Sequence, residues 1–442
     1  MYPIFHLLKF FTMRHLKNIS PMAVVVLIAM AFSMLVSCEK EALTETRPAG
    51  TSGFNIERAV VELIYGKVPG QKDADIQTRY QSVVNGLTAE QLQELQQAAE
   101  QEYRNNLELS AGLQTRSPGA SLSPGDMNAS FGVDVARSGN TVIVGGGTYG
   151  PDGRIYIFEN GNLVADFTSD NPYSSGFGFE VAISGTHAAA VGALVDENYN
   201  YYGGEVRTYR KQGGSWQLED VILVDDMYFG PEDLAMDGNR FVVTGRSASN
   251  VQDQTVKVYQ AQGNNGWALE QSMEYPATFV WDTDMKANTI ALNAIINNNF
   301  LAPTVVILEY TGGTWTMTSQ VTLTAGLISR NVAIGDDAYI VANVGSPAVV
   351  FEITKSGGTW GLSGQLSAPG TSFDRAIAAQ GDKVAVAGGG FGAPVVYTFD
   401  GGALDETYGP DNGSYGRSLY VYGNETGIGK PGAPEGVVIL EH

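Results

Sequence analysis

Asp196, Asn198 and Asn200, in the stretch DENYNYYGG, put short oxygen side chains at alternate positions. That spacing can converge on a hard cation, with a backbone carbonyl added to the set. These three are the candidate Ca2+ ligands of the chain, although only Asp196 is a carboxylate. The competing reading is a solvated hairpin loop. A second chemistry is offered by paired acids: Asp225 with Asp226, Asp282 with Asp284, and Asp336 with Asp337. Glycoside hydrolysis needs two carboxyls about 5–10 Å apart in a cleft, whereas acids at turns, such as Asp336 and Asp337, are ordinary turn formers. Nucleophilic and thiol chemistry lack the residues to build them. Cys38 is the only cysteine, and beyond the first 37 residues the histidines are His187 and His442. Catalytic triads, disulfides, Cys-ligated metals and His-rich zinc sites are therefore not expected. His187 lies in an apolar run and reads as a strand residue facing a neighbour.

Five tryptophans complete the inventory. Trp216, Trp267, Trp315 and Trp360 each follow a Gly-containing turn, at spacings of 51, 48 and 45 residues. Such a residue either packs on outer strands or forms a rim of aromatic platforms with large contact area at low entropic cost. Trp281 departs from the series. It and Arg330 fall in comparable strands of successive repeats, close to the expected central channel, and are the candidate binding residues.

The tryptophan spacing follows a longer period that positions all of these residues. FGVDVARSGNTVIVGGG begins at Phe131 and FGFEVAISGTHAAAVGA at Phe177. Related copies begin at Phe229, Phe279, Leu327, Phe373 and Tyr415, at intervals of 42 to 52 residues. Each copy holds an alternating apolar run, a Gly turn and two further runs; the first six add a fourth run. Four short strands per repeat of about 45 residues is the signature of a propeller blade. The expected fold is therefore mainly β, a seven-bladed propeller of four-stranded blades over residues 129–442. The seventh copy stops at its third strand. Residues 111–128 form a Ser/Pro/Gly linker, and within it residues 114–122 are the candidate ring-closing strand.

The pattern Phe-Gly-x-x-Val-Ala-x-x-Gly resembles the FG-GAP repeat of integrin alpha-subunit heads and many bacterial surface proteins. Phe177, Gly178, Val181, Ala182, Gly185, Val191, Gly192 and Ala193 carry it best, followed by Phe131, Gly132, Val135, Ala136, Gly139 and Gly145. The resemblance implies a Phe wedged between blades and a Gly that lets backbones approach. It also implies calcium loops after the second strand, and DENYNYYGG is the loop here with that character, without the family's distal Asp.

Residues ahead of the repeats speak to location. Lys9, Arg14 and Lys17 precede the apolar run PMAVVVLIAMAFSMLVSC, as in a signal peptide. LVSC resembles the lipobox of bacterial lipoproteins, which implies cleavage after residue 37 and acylation of Cys38. CEKEALTE is similar to the acidic export signals of Bacteroidetes surface lipoproteins. Residues 38–52 read as a tether, and residues 53–110 as three short amphipathic helices at helical spacing. A net charge of −21 argues against nucleic acid and anionic membrane surfaces, so the lipid anchor alone would hold the membrane. The expected function is a non-enzymatic, outer-membrane binding or adhesion module for a protein or glycan partner. The alternatives are a carbohydrate-active enzyme using paired carboxylates, and a structural subunit of an envelope complex.

Overall fold

The computed structural model describes residues 120–441 apart from 125–129, 148–152, 199, 277, 297–302, 324–326, 337–338, 347–348, 368–375, 389–394, 410–417 and 431–435. It also describes Gln77, Tyr80, Gln81, Leu92 and Gln96, all helical, with Gln96 Nε2 donating to the Tyr80 hydroxyl at 2.8 Å. The rest of the expected helical segment, the signal peptide, Cys38 and the tether lie outside the described residues. Compactness divides the chain into Met1–Leu107 and Glu108–His442.

In the second unit the described residues form seven antiparallel sheets, the blades of a propeller. The inner strands are Val135–Ser138, Val181–Ser184, Asp233–Asp237, Thr278–Lys286, Leu327–Asp336, Ala376–Gln380 and Leu419–Tyr422. They neighbour one another in a closed circle, the last beside the first. Blades 1 to 6 run from inner to outer strand in chain order. Blade 7 is composite: Ala120–Leu122 supplies its outer strand, antiparallel to Val437–Glu441, with Ala120 opposite Ile439 and Leu122 opposite Val437. The two ends of the repeat region thus hold one sheet together, and buried Leu122 joins a core with Phe131 and Val437.

Burial follows position in the blade. The second strand of blade 1, Thr141–Gly146, is buried at every residue because blades cover both its faces. The outer strand Thr314–Thr322 has one face in solvent and exposes most of its residues. In each of blades 1 to 6 the outer strand carries an irregular step against the third, which accentuates the local twist.

The Phe-Gly pair is architectural in the first two blades. Phe131 and Phe177 are fully buried, and Phe177 packs on Ile143, Ile155 and Ile157 of the preceding blade. Gly178 has φ +79°, and a Cβ there would strike the Arg154 carbonyl, so close passage of the blades requires glycine. Blade 3 departs from this plan. Buried Met227 fills the gap between blades 2 and 3, against Val206, Val224 and Phe241, and Phe229 is displaced toward the surface. In blade 4 the glycine is replaced by buried Val280.

Acids on the inner strands clip blade to blade. Asp134 Oδ2 accepts the Val181 N–H at 2.7 Å, across the junction of blades 1 and 2. Asp282 Oδ2 and Asp284 Oδ2 accept the Val332 and Ile334 N–H groups of blade 5, each at 2.7 Å. At the other end of the inner strands, Ser138 Oγ accepts the Gly185 N–H and Ser184 Oγ the Gly238 N–H, both at 2.9 Å. Asp237 Oδ2 likewise accepts the Ala287 N–H at 2.6 Å.

The four periodic tryptophans do the same at the outer radius. Each is buried, and each indole N–H reaches a glutamate of the preceding blade. The pairs are Trp216 with Glu159 at 2.9 Å, Trp267 with Glu219 at 2.9 Å, Trp315 with Glu270 at 3.0 Å and Trp360 with Glu309 at 3.4 Å. A cation completes each group: Lys211 on Glu159, Arg210 on Glu219, Arg240 on Glu270, and Lys355 on Glu309, with His187 Nδ1 also 3.4 Å from the Glu219 carboxylate. Of the two sequence readings, packing holds and the aromatic rim does not. A buried indole needs an acceptor, and the preceding blade provides a charged one.

Candidate functional site

The inner strands all begin on one side of the ring, here called the upper face, and several aromatic residues left out of the blade cores gather there over blades 2 to 4. Tyr201 meets Phe229 at 5.3 Å between ring centres, and Phe229 meets Tyr228 at 4.6 Å. The Arg246 guanidinium lies between two rings, 5.4 Å from the centre of Phe229 and 4.6 Å from that of Phe279. Phe279 in turn meets Trp281 edge-to-face at 4.5 Å. The result is a continuous ladder of five rings and one guanidinium, with Tyr228 40% exposed and Tyr202, beside Tyr201, 50% exposed.

Local sequence explains how the ladder arises. Phe229 is free because Met227 took the wedge position. Arg246 occupies the column held by Gly147 and Ala193 in the first two copies, so a long cation stands where those copies have almost no side chain. Trp281 is the unpaired residue of an irregular step in the inner strand, between Val280 and Asp282, which turns its side chain out of regular alternation.

Polar groups at the junction of blades 3 and 4 flank the ladder. Glu232 Oε1 lies 3.3 Å from Arg246 Nε. Burial pushes the Glu232 carboxyl up and Arg246 opposes the shift. Gln254 pairs with Arg246 across the strands and its Oε1 accepts the Val280 N–H at 3.3 Å. Four buried polar atoms of these residues have no hydrogen-bond partner among the described residues: Trp281 Nε1, Gln254 Nε2, Glu232 Oε2 and Arg246 Nε, the last two in residues that form an ion pair. Nearby, Asp233 is pushed up to about 7, chiefly by burial and in part by the Asp134 charge. Asp284 is pushed up to about 6 by burial, against the Ile334 and Met285 N–H groups. Burial and Asp233 raise Asp282 as well. Carboxylates of blades 1, 3 and 4 therefore feel one another around the axis.

Other sequence candidates lie elsewhere. Asp196 caps its own loop: Oδ1 accepts the Asn198 and Asn200 N–H groups at 2.8 Å, and the Asn200 amide donates to Oδ2 at 2.9 Å. The Asn200 side chain holds its carboxyl below the usual range. N–H donors thus converge on the carboxylate from the side a cation would share. Among the described residues no three His, Cys, Asp or Glu side chains are grouped to hold a metal ion. Asp226 pairs with Lys257 of blade 3 at 2.6 Å. His187 lies edge-to-face on Trp267 at 5.3 Å, a strand histidine facing the next blade. The Arg330 backbone belongs to the inner strand of blade 5, and its side chain lies outside the described residues.

Two solved structures are similar to the chain. The beta-propeller domain of Myceliophteria thermophila Cps50 (Swd1) covers 70% of this chain and 96% of its own, at 9% identity and TM-score 0.48. A chain of a mitotic checkpoint complex covers 75% and 97%, at 11% identity and TM-score 0.50. Likeness at such identity shows the fold alone. No protein-family model and no curated protein matches the sequence, so the FG-GAP resemblance rests on its residues.

The ladder was only partly legible in sequence. Trp281 stood out by breaking the tryptophan period. Arg246, Glu232, Gln254 and Tyr228 did not, although Arg246 sitting in a column of small residues is a signal that aligning the copies yields.

Proposed function

We propose that the chain is a lipid-anchored envelope protein of the outer membrane whose propeller recognises a protein or glycan partner on its upper face, without catalysis. The observation that carries this reading is the ladder from Tyr201 to Trp281. Partly exposed rings, a stacked arginine and orphaned polar atoms are the composition of recognition surfaces, and loops at one end of a rigid scaffold are where binding residues gather. The lipobox-like LVSC and the FG-GAP-like repeats support the anchor and the surface role. The paired carboxylates favour the non-enzymatic reading over a glycosidase. Asp282 and Asp284 spend an oxygen each on backbone N–H groups of blade 5, and Asp226 is tied to Lys257.

Two measurements test the reading. Cys38→Ala should release the protein from the membrane fraction, and its retention in the outer membrane would remove the anchor. Lipidated wild-type protein should retain a partner from native membranes that Tyr202→Ala/Tyr228→Ala loses. Equal capture by both would place recognition elsewhere.

A further inference from the structure

We propose that the upper face at the junction of blades 3 and 4 is a subsite for a neutral saccharide, with Trp281, Phe279 and Tyr228 as ring platforms and Gln254, Arg246 and Glu232 as hydroxyl partners. The inference rests on the recognition reading above and narrows its ligand.

Three observations converge on that class. The first is the orphaned set. Gln254 is fully buried and its Nε2 donor has no partner among the described residues; Trp281 Nε1 is a second such buried donor and Glu232 Oε2 a buried acceptor in the same state. Buried polar groups are almost always satisfied, by protein, water or ligand. A mixed set of donors and acceptors suits hydroxyls, each of which donates and accepts at once. The second is shape and apolarity. The ladder offers ring faces to the C–H face of a sugar, on side chains that lose little entropy when covered. These rings are joined to the orphaned atoms by short links. Gln254 Oε1 holds the Val280 N–H at 3.3 Å, and Phe279 and Trp281 flank Val280. The third is charge. Glu232 lies 3.3 Å from Arg246 in the subsite and burial raises its carboxyl, so no further anion is welcome beside it. Arg246, the cation within the ladder, is already paired with Glu232 and stacked between two rings. Sialylated, sulfated and uronic-acid glycans are therefore disfavoured and uncharged ones favoured.

The experiment uses the full chain in detergent, titrated calorimetrically with neutral gluco-, galacto-, manno- and xylo-oligosaccharides at millimolar concentration and with acidic counterparts. One neutral series should bind and the acidic series should not. Trp281→Phe keeps a ring and removes the N–H, and should weaken binding about fivefold, the worth of one hydrogen bond. Trp281→Ala and the exposed-ring variant Tyr228→Ala should weaken it by about tenfold or more. Thermal melts establish that each variant is folded, and Tyr228→Ala keeps the test decisive if Trp281→Ala is not. The inference is overturned if folded wild type binds no neutral saccharide, if it prefers the acidic series, or if affinity is unchanged in both Trp281→Phe and Tyr228→Ala. Capture of a protein partner, lost in Tyr228→Ala while no saccharide binds, would overturn the saccharide and leave the recognition reading standing. Absence of any ligand dependent on the ladder would remove both.

Discussion

Replacing Asp233 by Asn should stabilise the propeller at neutral and higher pH and have little effect in acid. Asp233 sits at the start of the inner strand of blade 3, with Oδ1 accepting the Leu234 N–H at 2.9 Å and Oδ2 buried without a hydrogen bond among the described residues. Burial pushes its carboxyl from an ordinary 3.8 to about 7. A folded-state value above the unfolded one means that the folded protein holds a proton the unfolded chain would release. Its stabilising effect is complete below the unfolded value and is lost as pH climbs through the folded one. Each unit is worth about 1.4 kcal/mol, so three units set a ceiling of about 4 kcal/mol. Asp134 and Asp282 share the field, so removing one charge also relieves its neighbours. We expect Asp233→Asn to gain about 2–4 kcal/mol at about pH 8 and almost nothing at about pH 4. The amide oxygen can still accept the Leu234 N–H. The assay is urea unfolding followed by tryptophan fluorescence across this pH range, comparing midpoints at constant slope. An offset between variant and wild type that is the same at both ends of the range would refute the reasoning, because a change in packing or in an uncharged hydrogen bond has no pH dependence.

Other expectations follow from the packing. Leu122→Ala removes the buried side chain of the strand that closes blade 7 and should cost about 2–4 kcal/mol in the same urea assay; a change under about 0.5 kcal/mol, typical of surface positions, would show that Ala120–Leu122 does not hold the ring. Trp315→Phe takes the indole N–H from Glu270, and the charge-assisted bond and lost volume together should cost about 2–4 kcal/mol. Glu270 is half of the same group: burial pushes its carboxyl up, but Arg240 and Trp315 outweigh burial and hold it below the usual range. Its contribution is thus present above the unfolded value and lost as pH falls through the folded one, so Glu270→Gln should harm the protein at pH 7 and matter least in strong acid, as melts at the two pH values would reveal. Calcium titration should give the same heats for wild type and Asp196→Ala, since Asp196 already accepts its own loop's N–H groups; heat present only in wild type would make it a ligand.

Seven copies of a strand-turn-strand unit, read at intervals of 42 to 52 residues, were enough to specify a propeller of four-stranded blades. Alternation and turn glycines are local, and repetition makes each copy bury its faces on the next. The missing fourth strand of the last copy was visible for the same reason, and so was the spacing of the four packed tryptophans. What those tryptophans touch was not visible. Glu159, Glu219, Glu270 and Glu309 lie 45 to 57 residues from their indoles, and only the stacking of successive blades brings them to hydrogen-bonding distance. The inner-strand acids are the clearest case. As sequence they are paired carboxylates open to catalysis; folded, they reach across the blade junction to backbone N–H groups, and mutual burial raises their pKa. The upper-face site, apart from Trp281, which the broken tryptophan period singled out, also belongs to tertiary structure. A one-residue shift in the third copy lets Met227 fill the core and sends Phe229 outward, and the neighbouring blade then supplies Phe279 and Trp281 on the other side of Arg246. Composition and spacing determine which elements form. Which side chains they leave over, and what those meet, depends on where each blade's surface falls against its neighbour's, a register that no single copy contains.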